Sequence, residues 1–225
     1  MKISSDTLNI LKNFSTINHS IVVKQGNSLR TISPMKNILA TAEIEENFEK
    51  DFAIYDLNEF LSGLTLFKDA VYDFSSDSYL VIKSGNSRVK YFYSDPSVIT
   101  AAPEKDIPLP SEDVVFTLTN DMNGSLLRAS SVYQLPDLSL VSVDGNTQLV
   151  VRTKSNDTSN NYCIDVNPLR QTSDNFSFNF KVENIKILPG DYEVTVSSKN
   201  IALFKHTSSN LKYWIALEPD SIFVG

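Results

Sequence analysis

The 225-residue chain has one cysteine, Cys163, so no disulfide can form within it. A reducing compartment is the natural expectation. Glycine is scarce, at seven residues, and Gly26, Gly85 and Gly145 stand alone between turn residues. No glycine-rich loop of the kind that cradles phosphates is present. There are two histidines, His19 and His206, in unrelated surroundings. With one cysteine beside them, they do not supply the ligand set of a zinc site, and neither a metal nor a cofactor is expected. The start, "MKISSDTLNI", has no apolar run of signal-peptide length, and nothing approaches a membrane-spanning stretch. A soluble, cytoplasmic protein is expected.

Excess positive charge is also absent. Net charge is −7, which argues against grip on nucleic acid through extensive phosphate neutralisation. Residues 1–107 hold 11 basic and 14 acidic side chains, and residues 108–225 hold 9 and 13. Neither half is therefore a basic arm or an acidic tail. Acidic pairs occur, such as Glu45/Glu46 and Asp56/Glu59. Asp56 falls at a strand–helix junction, so a solvated surface explains that pair better than general acid–base catalysis. No enzyme is expected.

What the chain has is β-forming material: thirteen Phe, nine Tyr and many Val, Ile and Thr, within a hydrophobic fraction of 41%. It also has an internal break. Residues 94–113, "SDPSVITAAPEKDIPLPSED", contain four prolines and no clean periodicity, as an extended connector would. The break divides the chain into domains of residues 1–107 and 108–225, with the connector at about 94–110.

The two parts repeat one order of elements. Each begins with a helical pattern, "TLNILKNFSTI" and "GSLLRASSVYQL". Leu8, Leu11, Phe14 and Ile17 form one apolar stripe, and Leu126, Leu127, Ala129 and Val132 begin another. Ser4, Ser5 or Asp6 is expected to cap the first helix, and Asn120 or Asp121 the second. Hairpins follow, with turns at Gln25-Gly26-Asn27 and Asp144-Gly145-Asn146. Residues 52–64, "FAIYDLNEFLSGL", start as a strand and change at Asn58, the expected cap of the second helix, to helical spacing of Leu57, Phe60, Leu61 and Leu64. Their echo is "FSFNFKVENIKILPG", residues 176–190, with Ile185 and Leu188 in the helical positions. Each part then closes on a hairpin and an aromatic strand. Two unrelated domains of similar composition remain an alternative to duplication.

Four colinear stretches carry a resemblance: "ILKNFSTIN" (10–18), "AIYDLNEFL" (53–61), "LPGDYEV" (188–194) and "YWIALEPDS" (213–221). With them the sequence resembles the DNA polymerase sliding clamps of T-even-like bacteriophages. The resemblance implies an α+β, duplicated DNA-clamp fold. Each of two similar domains would pack two helices on antiparallel sheets. Three subunits would close head to tail into a pseudo-six-fold ring around duplex DNA. It also implies a non-enzymatic processivity factor in the cytoplasm of an infected bacterial host. The DNA polymerase and an ATP-driven clamp loader would be its partners, and late-transcription factors a further class.

On that reading, the inward cations are Lys12 on the first helix, Lys68 at the end of the second, Arg128 on the third and Lys186 on the fourth. Partner peptides of such clamps dock beside the connector. Val98, Ile99, Ile107 and Leu109 in the connector, and Ile222 and Phe223 beyond the last long strand, are the candidates for that contact. Each of these apolar residues has the alternative role of pinning its segment to a domain. Two other classes stay open: a structural or adaptor phage protein with a duplicated β-rich domain, and a carboxylate hydrolase.

Overall fold

A computed structural model of the chain describes residues 1–143, 145–156, 158–173 and 175–224. It divides into two compact units, Met1–Asp106 and Ile107–Gly225.

In the first unit, α1 (Ser5–Ile17) leads through β1 (Ile21–Val23) to a hairpin of β2 (Gly26–Ile32) and the long β3 (Ile38–Phe48). β4 (Phe52–Ile54) runs into α2 (Leu57–Leu64), and an antiparallel sheet of β5 (Val71–Asp73), β6 (Tyr79–Ser84) and β7 (Ser87–Phe92) ends the unit. β1 pairs with β4, Ile21 opposite Ile54. β2 pairs with β3, Leu29 opposite Ala42, and Gly26 at φ +112° begins a bulge that a side chain would strain. Ahead of α1, Met1 exchanges two backbone bonds with Tyr72, its ammonium donating to the Tyr72 carbonyl and its own carbonyl accepting from the Tyr72 N–H.

The second unit runs β8 (Val114–Leu118), α3 (Asn120–Tyr133), β9 (Asp137–Val143), β10 (Asn146–Arg152), β11 (Tyr162–Val166), β12 (Arg170–Gln171), β13 (Phe176–Lys181), β14 (Tyr192–Ser197), β15 (Ile201–His206), β16 (Leu211–Ala216) and β17 (Ile222–Phe223). Its strands form two antiparallel sets, β12-β8-β14-β15-β16 and β11-β10-β9-β13-β17. Asp144 of the expected Asp-Gly-Asn turn lies outside the described residues; Gly145, at φ +80°, takes the left-handed geometry that such a turn requires.

The helices form where apolar stripes meet good caps, although the capping residues differ from several expected ones. Ser4 caps α1, its hydroxyl accepting from the Thr7 N–H at 3.2 Å. Asp56, not Asn58, caps α2, accepting from the Glu59 N–H at 2.8 Å. Asn58 lies inside the helix, and its amide meets the His19 ring nitrogen at 2.9 Å. Thr119, one residue ahead of the expected Asn120 or Asp121, caps α3 through the Met122 N–H at 3.2 Å. Each cap supplies an acceptor to an N–H that the helix itself leaves unbonded.

The expected fourth helix does not form. Only a single 3-10 turn, Val182–Asn184, follows β13. Val182, Ile185 and Ile187 are β-branched, and Pro189-Gly190 stops any continuation. Tyrosines satisfy the segment's backbone instead: the Tyr192 hydroxyl donates to the Leu188 carbonyl at 2.7 Å, and the Tyr213 hydroxyl accepts from the Leu188 N–H at 3.2 Å. Both tyrosines are fully buried, and burial pushes both hydroxyls well above their ordinary pKa. Among the described residues the first unit therefore has two helices and the 3-10 turn Pro96–Val98, and the second has one helix and the 3-10 turn Val182–Asn184.

The start of α1 is tied down by a buried carboxylate. Glu46 of β3 accepts from the Ser4 N–H and from the Thr7 hydroxyl, the latter at 2.5 Å. Burial alone would raise its pKa, but the hydrogen bonds from Thr7 and Ser4 outweigh it and leave the group below its ordinary value. A carboxyl whose folded pKa is depressed stabilises above its unfolded value and loses that contribution as pH falls through the folded one. Glu46→Ala should therefore cost about 1–3 kcal/mol at neutral pH, because it strands buried donors. The difference between the variant and the parent should shrink below about pH 4.5. Urea titrations over a pH series measure both.

Candidate nucleic-acid interface

α1 buries Leu11, Phe14 and Ile17 and leaves Ser5, Asn9, Lys12 and Thr16 exposed. The exposed set recurs at four, three and four residues, so it forms one line along the helix. α2 buries Leu57, Phe60, Leu61 and Leu64 and leaves Asn58, Glu59 and Ser62 open. α3 buries Asn123, Leu126, Ala129 and Ser130; Asp121, Arg128, Ser131 and Val132 are open. These faces are mostly polar, with Val132 and Tyr133 of α3 as exposed apolar exceptions. Each has one acid in its first turn, Asp6, Glu59 and Asp121 respectively.

Of the four expected cations, two lie on open helix faces. Lys12 is exposed on α1, with no ion pair among the described residues. Arg128 is exposed on α3 and folds back along the helix, donating to the Ser125 hydroxyl at 2.9 Å. Gly124 makes room for that posture, because a Cβ there would stand 3.2 Å from an Arg128 terminal nitrogen. The other two are not on helices. Lys68 lies four residues beyond the end of α2, exposed, with its carbonyl accepting from the Ser84 hydroxyl. Lys186 is half-buried beyond the 3-10 turn, its N–H bonded to the Asn184 carbonyl at 2.9 Å. Helical periodicity fails at both places, so neither residue could be assigned a face from it.

The apolar candidates separate as well. In the first unit, Val98 is 62% exposed at the end of the 3-10 turn Pro96–Val98, but Ile99 is only 8% exposed. Ile99 is an anchor of its segment, not an open contact. Beside it, the Asn18 amide donates to the Thr100 carbonyl at 3.5 Å. In the second unit, Ile107 is exposed and Leu109 half-buried, and the Ile107 carbonyl accepts from the Trp214 indole N–H at 2.8 Å. Ile222 and Phe223 form β17 at a sheet edge, opposite Ser177 and Phe176. Ile222 points to solvent, whereas Phe223 stacks on Phe178 with ring centroids 5.9 Å apart.

Two features escaped the sequence reading. β7 is a free sheet edge whose Arg88, Val89, Lys90 and Phe92 are all exposed. β11 is a free edge exposing Tyr162, Cys163 and Asp165. In β7 the signal was a strand without period-2 burial, which composition alone does not reveal. Both histidines have structural surroundings: His19 meets Asn58, and His206 packs edge-on against Tyr192 at 5.0 Å. Among the described residues no cluster of His, Cys, Asp and Glu could hold a metal, and no helix is long and apolar enough to cross a membrane.

A family model described as DNA polymerase processivity factor matches residues 4–101. The sliding clamp of Vibrio phage KVP40 is 32% identical over 222 residues, covering 97% of this chain and 99% of the relative. The chain belongs to the sliding-clamp family. The clamps of Escherichia phage RB69 and Enterobacteria phage T4 are 33% and 31% identical over 226 residues, each covering 98% of both chains. Among solved structures, A. fulgidus PCNA bound to the C-terminal region of FEN-1 superposes with a TM-score of 0.70 at 12% identity, covering 96% of each chain. PCNA of Thermococcus kodakaraensis gives 0.69 at 15% identity, over 95% of this chain and 96% of the other. At that identity the likeness speaks for the fold, an α+β clamp with mostly antiparallel sheets.

Burial separates the two neighbours Val98 and Ile99. Ile99→Ala should destabilise the chain by about 2–4 kcal/mol through the cavity it leaves. Val98→Ala should stay within about 0.5 kcal/mol. Chemical denaturation of the two variants side by side checks this.

Proposed function

We propose that three copies of this chain close head to tail into a ring around duplex DNA and tether the DNA polymerase for processive synthesis. The observation that carries the reading is that the open helix faces are mostly polar and carry no net positive charge, the cations Lys12 and Arg128 being offset by Asp6, Glu59 and Asp121. A protein that slides must not bind phosphates tightly, since each neutralised phosphate adds counterion-release free energy. Retention then comes from topology, because a closed ring cannot leave sideways. Net acidity outside those faces is compatible with this.

The ring needs a heterologous contact whose rotation closes. The free edge of β7, with Arg88 and Lys90, and the free edge of β11, with Asp165, offer opposite charges for it. Residues 1–107 and 108–225 serve as two clamp modules in each subunit, which gives the ring its pseudo-six-fold character. An ATP-driven clamp loader opens it on DNA. Val98 in the first unit and Ile107 and Ile222 in the second are exposed apolar residues available to partner peptides; Leu109 is half-buried, and Phe223 points to the opposite face of β17 from Ile222. The late-transcription machinery is a further class of partner. Lys68 and Lys186 have a weaker claim to DNA than Lys12 and Arg128, since neither lies on a helix face. The chain itself does no chemistry, and it works in the cytoplasm of the infected bacterium.

Sedimentation over a concentration series should reveal a species of three times 25.2 kDa. With loader and polymerase on primed circular DNA, the protein should lengthen the products. A chain that stays monomeric and leaves product length unchanged overturns the reading. Lys12→Ala combined with Arg128→Ala should leave the trimer intact and shorten its lifetime on DNA. It should also lower the salt dependence of DNA association by about 0.9 in log–log slope for each phosphate that is no longer neutralised. An unchanged lifetime and slope would remove both residues from the DNA-facing wall.

A further inference from the structure

The two helices of the first unit meet at a corner that carries a histidine. α1 ends at Ile17, and Asn18 turns the chain into extended backbone at φ −143°. The Asn18 carboxamide holds that turn, its oxygen accepting from the Ser20 N–H at 3.0 Å and its nitrogen donating to the Ile32 carbonyl at 2.9 Å. The carbonyl of the next residue, His19, accepts from the Leu57 N–H at 2.7 Å, beyond the pair Ile21–Ile54 in the ladder of β1 and β4. The His19 backbone is thus fixed against the first residue of α2, while its imidazole stays exposed. One contact orients the imidazole: the Asn58 amide nitrogen stands 2.9 Å from Nδ1. Asn58 belongs to the open face of α2 and makes no other side-chain hydrogen bond among the described residues. Packing does not account for this pair, because both side chains lie in solvent.

That contact decides where the proton of the neutral imidazole sits. An amide nitrogen offers only donors, so Nδ1 accepts and the proton is on Nε2. Nε2–H is then a free donor at the end of the open line of α1. A second proton changes two things. It removes Nδ1 as an acceptor, so the Asn58 carboxamide turns over and its oxygen accepts from Nδ1–H. It also adds one positive charge, and imidazole is the side chain whose charge changes between pH 5 and 8. The titratable groups on the surrounding elements are Lys12 of α1, Asp56 and Glu59 at the start of α2, Tyr55 ahead of it and Tyr91 of β7. The Asp56 carboxylate accepts from the Glu59 N–H, and the Tyr91 hydroxyl donates to the Asp56 carbonyl at 3.2 Å. Lys24 and Asp51, at the far end of the ladder, pair with each other at 2.8 Å. Lys12 is the one cation within α1 and α2, so a proton on His19 doubles the positive groups of that helical surface.

We propose that His19 is a DNA-contacting residue whose grip depends on its proton. The neutral imidazole donates Nε2–H to a phosphate oxygen; the cation also holds that phosphate by charge. The protein therefore slides freely at pH 8 and stays longer on DNA at pH 6. This rests on the reading of the chain as a clamp around duplex DNA, in which the contact occurs three times. Each contact is made at an exposed surface and is individually weak, which is compatible with sliding.

The test measures the lifetime of the loaded protein on nicked circular duplex at pH 8 and pH 6, after free protein and loader are removed. The unaltered chain should stay about threefold longer or more at pH 6, as three exposed charge contacts would give. Its log–log salt slope should steepen by about 0.9 for each phosphate that a protonated imidazole neutralises. His19→Gln keeps a polar donor but cannot take the charge. It should show one lifetime at both pH values, near that of the unaltered chain at pH 8. His19→Lys should show the longer lifetime at both. Sedimentation without DNA at both pH values should show the same assembly. A pH-independent lifetime of the unaltered chain overturns the inference. So does a His19→Gln protein that keeps the pH dependence, or a gain at pH 6 that the DNA-free assembly shows equally. A chain that forms rings and supports processive synthesis but fails this test refutes the role of His19 alone. One that never forms a ring refutes the clamp reading, and the role of His19 with it.

Discussion

Everything on the helical surfaces depends on one stripe of each helix being buried against β-structure. Phe14 is 0% exposed, and Leu57 and Leu126 are nearly as deep. Each such side chain contributes about 1.5–3 kcal/mol by leaving water. Together with the caps, these anchors fix the rotation of each helix about its axis. Once that rotation is fixed, the residues on the opposite side have no freedom to hide. Ser5, Asn9, Lys12 and Thr16 must face out because Leu11, Phe14 and Ile17 face in.

That outward surface has little net charge, with Lys12 and Arg128 offset by Asp6, Glu59 and Asp121. It offers hydroxyls and amides, which bond to water and phosphate with similar ease, and only isolated cations. The acids in the first turn of each helix favour the helix N-terminus, where they complement the dipole. They also keep the local potential from becoming strongly positive. The same residues thus stabilise the helix and weaken any grip on a polyanion. Arg128 fits this pattern: its guanidinium is held along α3 by Ser125, with Gly124 making the space.

The second unit reaches the same order of elements with less helix, and its tyrosines explain how. Tyr192 and Tyr213 stand on neighbouring parts of one sheet, with ring centroids 6.1 Å apart, and both hydroxyls bond the backbone of Leu188. A segment whose backbone is satisfied by buried side chains does not need helical hydrogen bonds. Lys186 lies in this segment, which is why it has no helical face to occupy. Tyr93 shows the opposite case in the first unit. Its hydroxyl is buried without a partner among the described residues, and burial pushes its pKa up to about 12.

The sequence alone determined the family, through four short colinear stretches, and much of the order of elements, because apolar spacing reports on strand and helix period; the fourth helix and the pairing of β1 with β2 that it suggested do not form. It determined α1 and α3 as helices for the same reason, and it located the proline-rich break. Capping was less legible. Asp56, Asn58 and Thr119 are all good caps by residue type, and only the path of the backbone chose among them. Tertiary structure decided the rest. It made Ile99 an anchor and left its neighbour Val98 open, because burial depends on what packs above a segment. It set His19 against Asn58, and left β7 and β11 with free edges. Those properties come from contacts between residues far apart in the chain, and no local pattern encodes them.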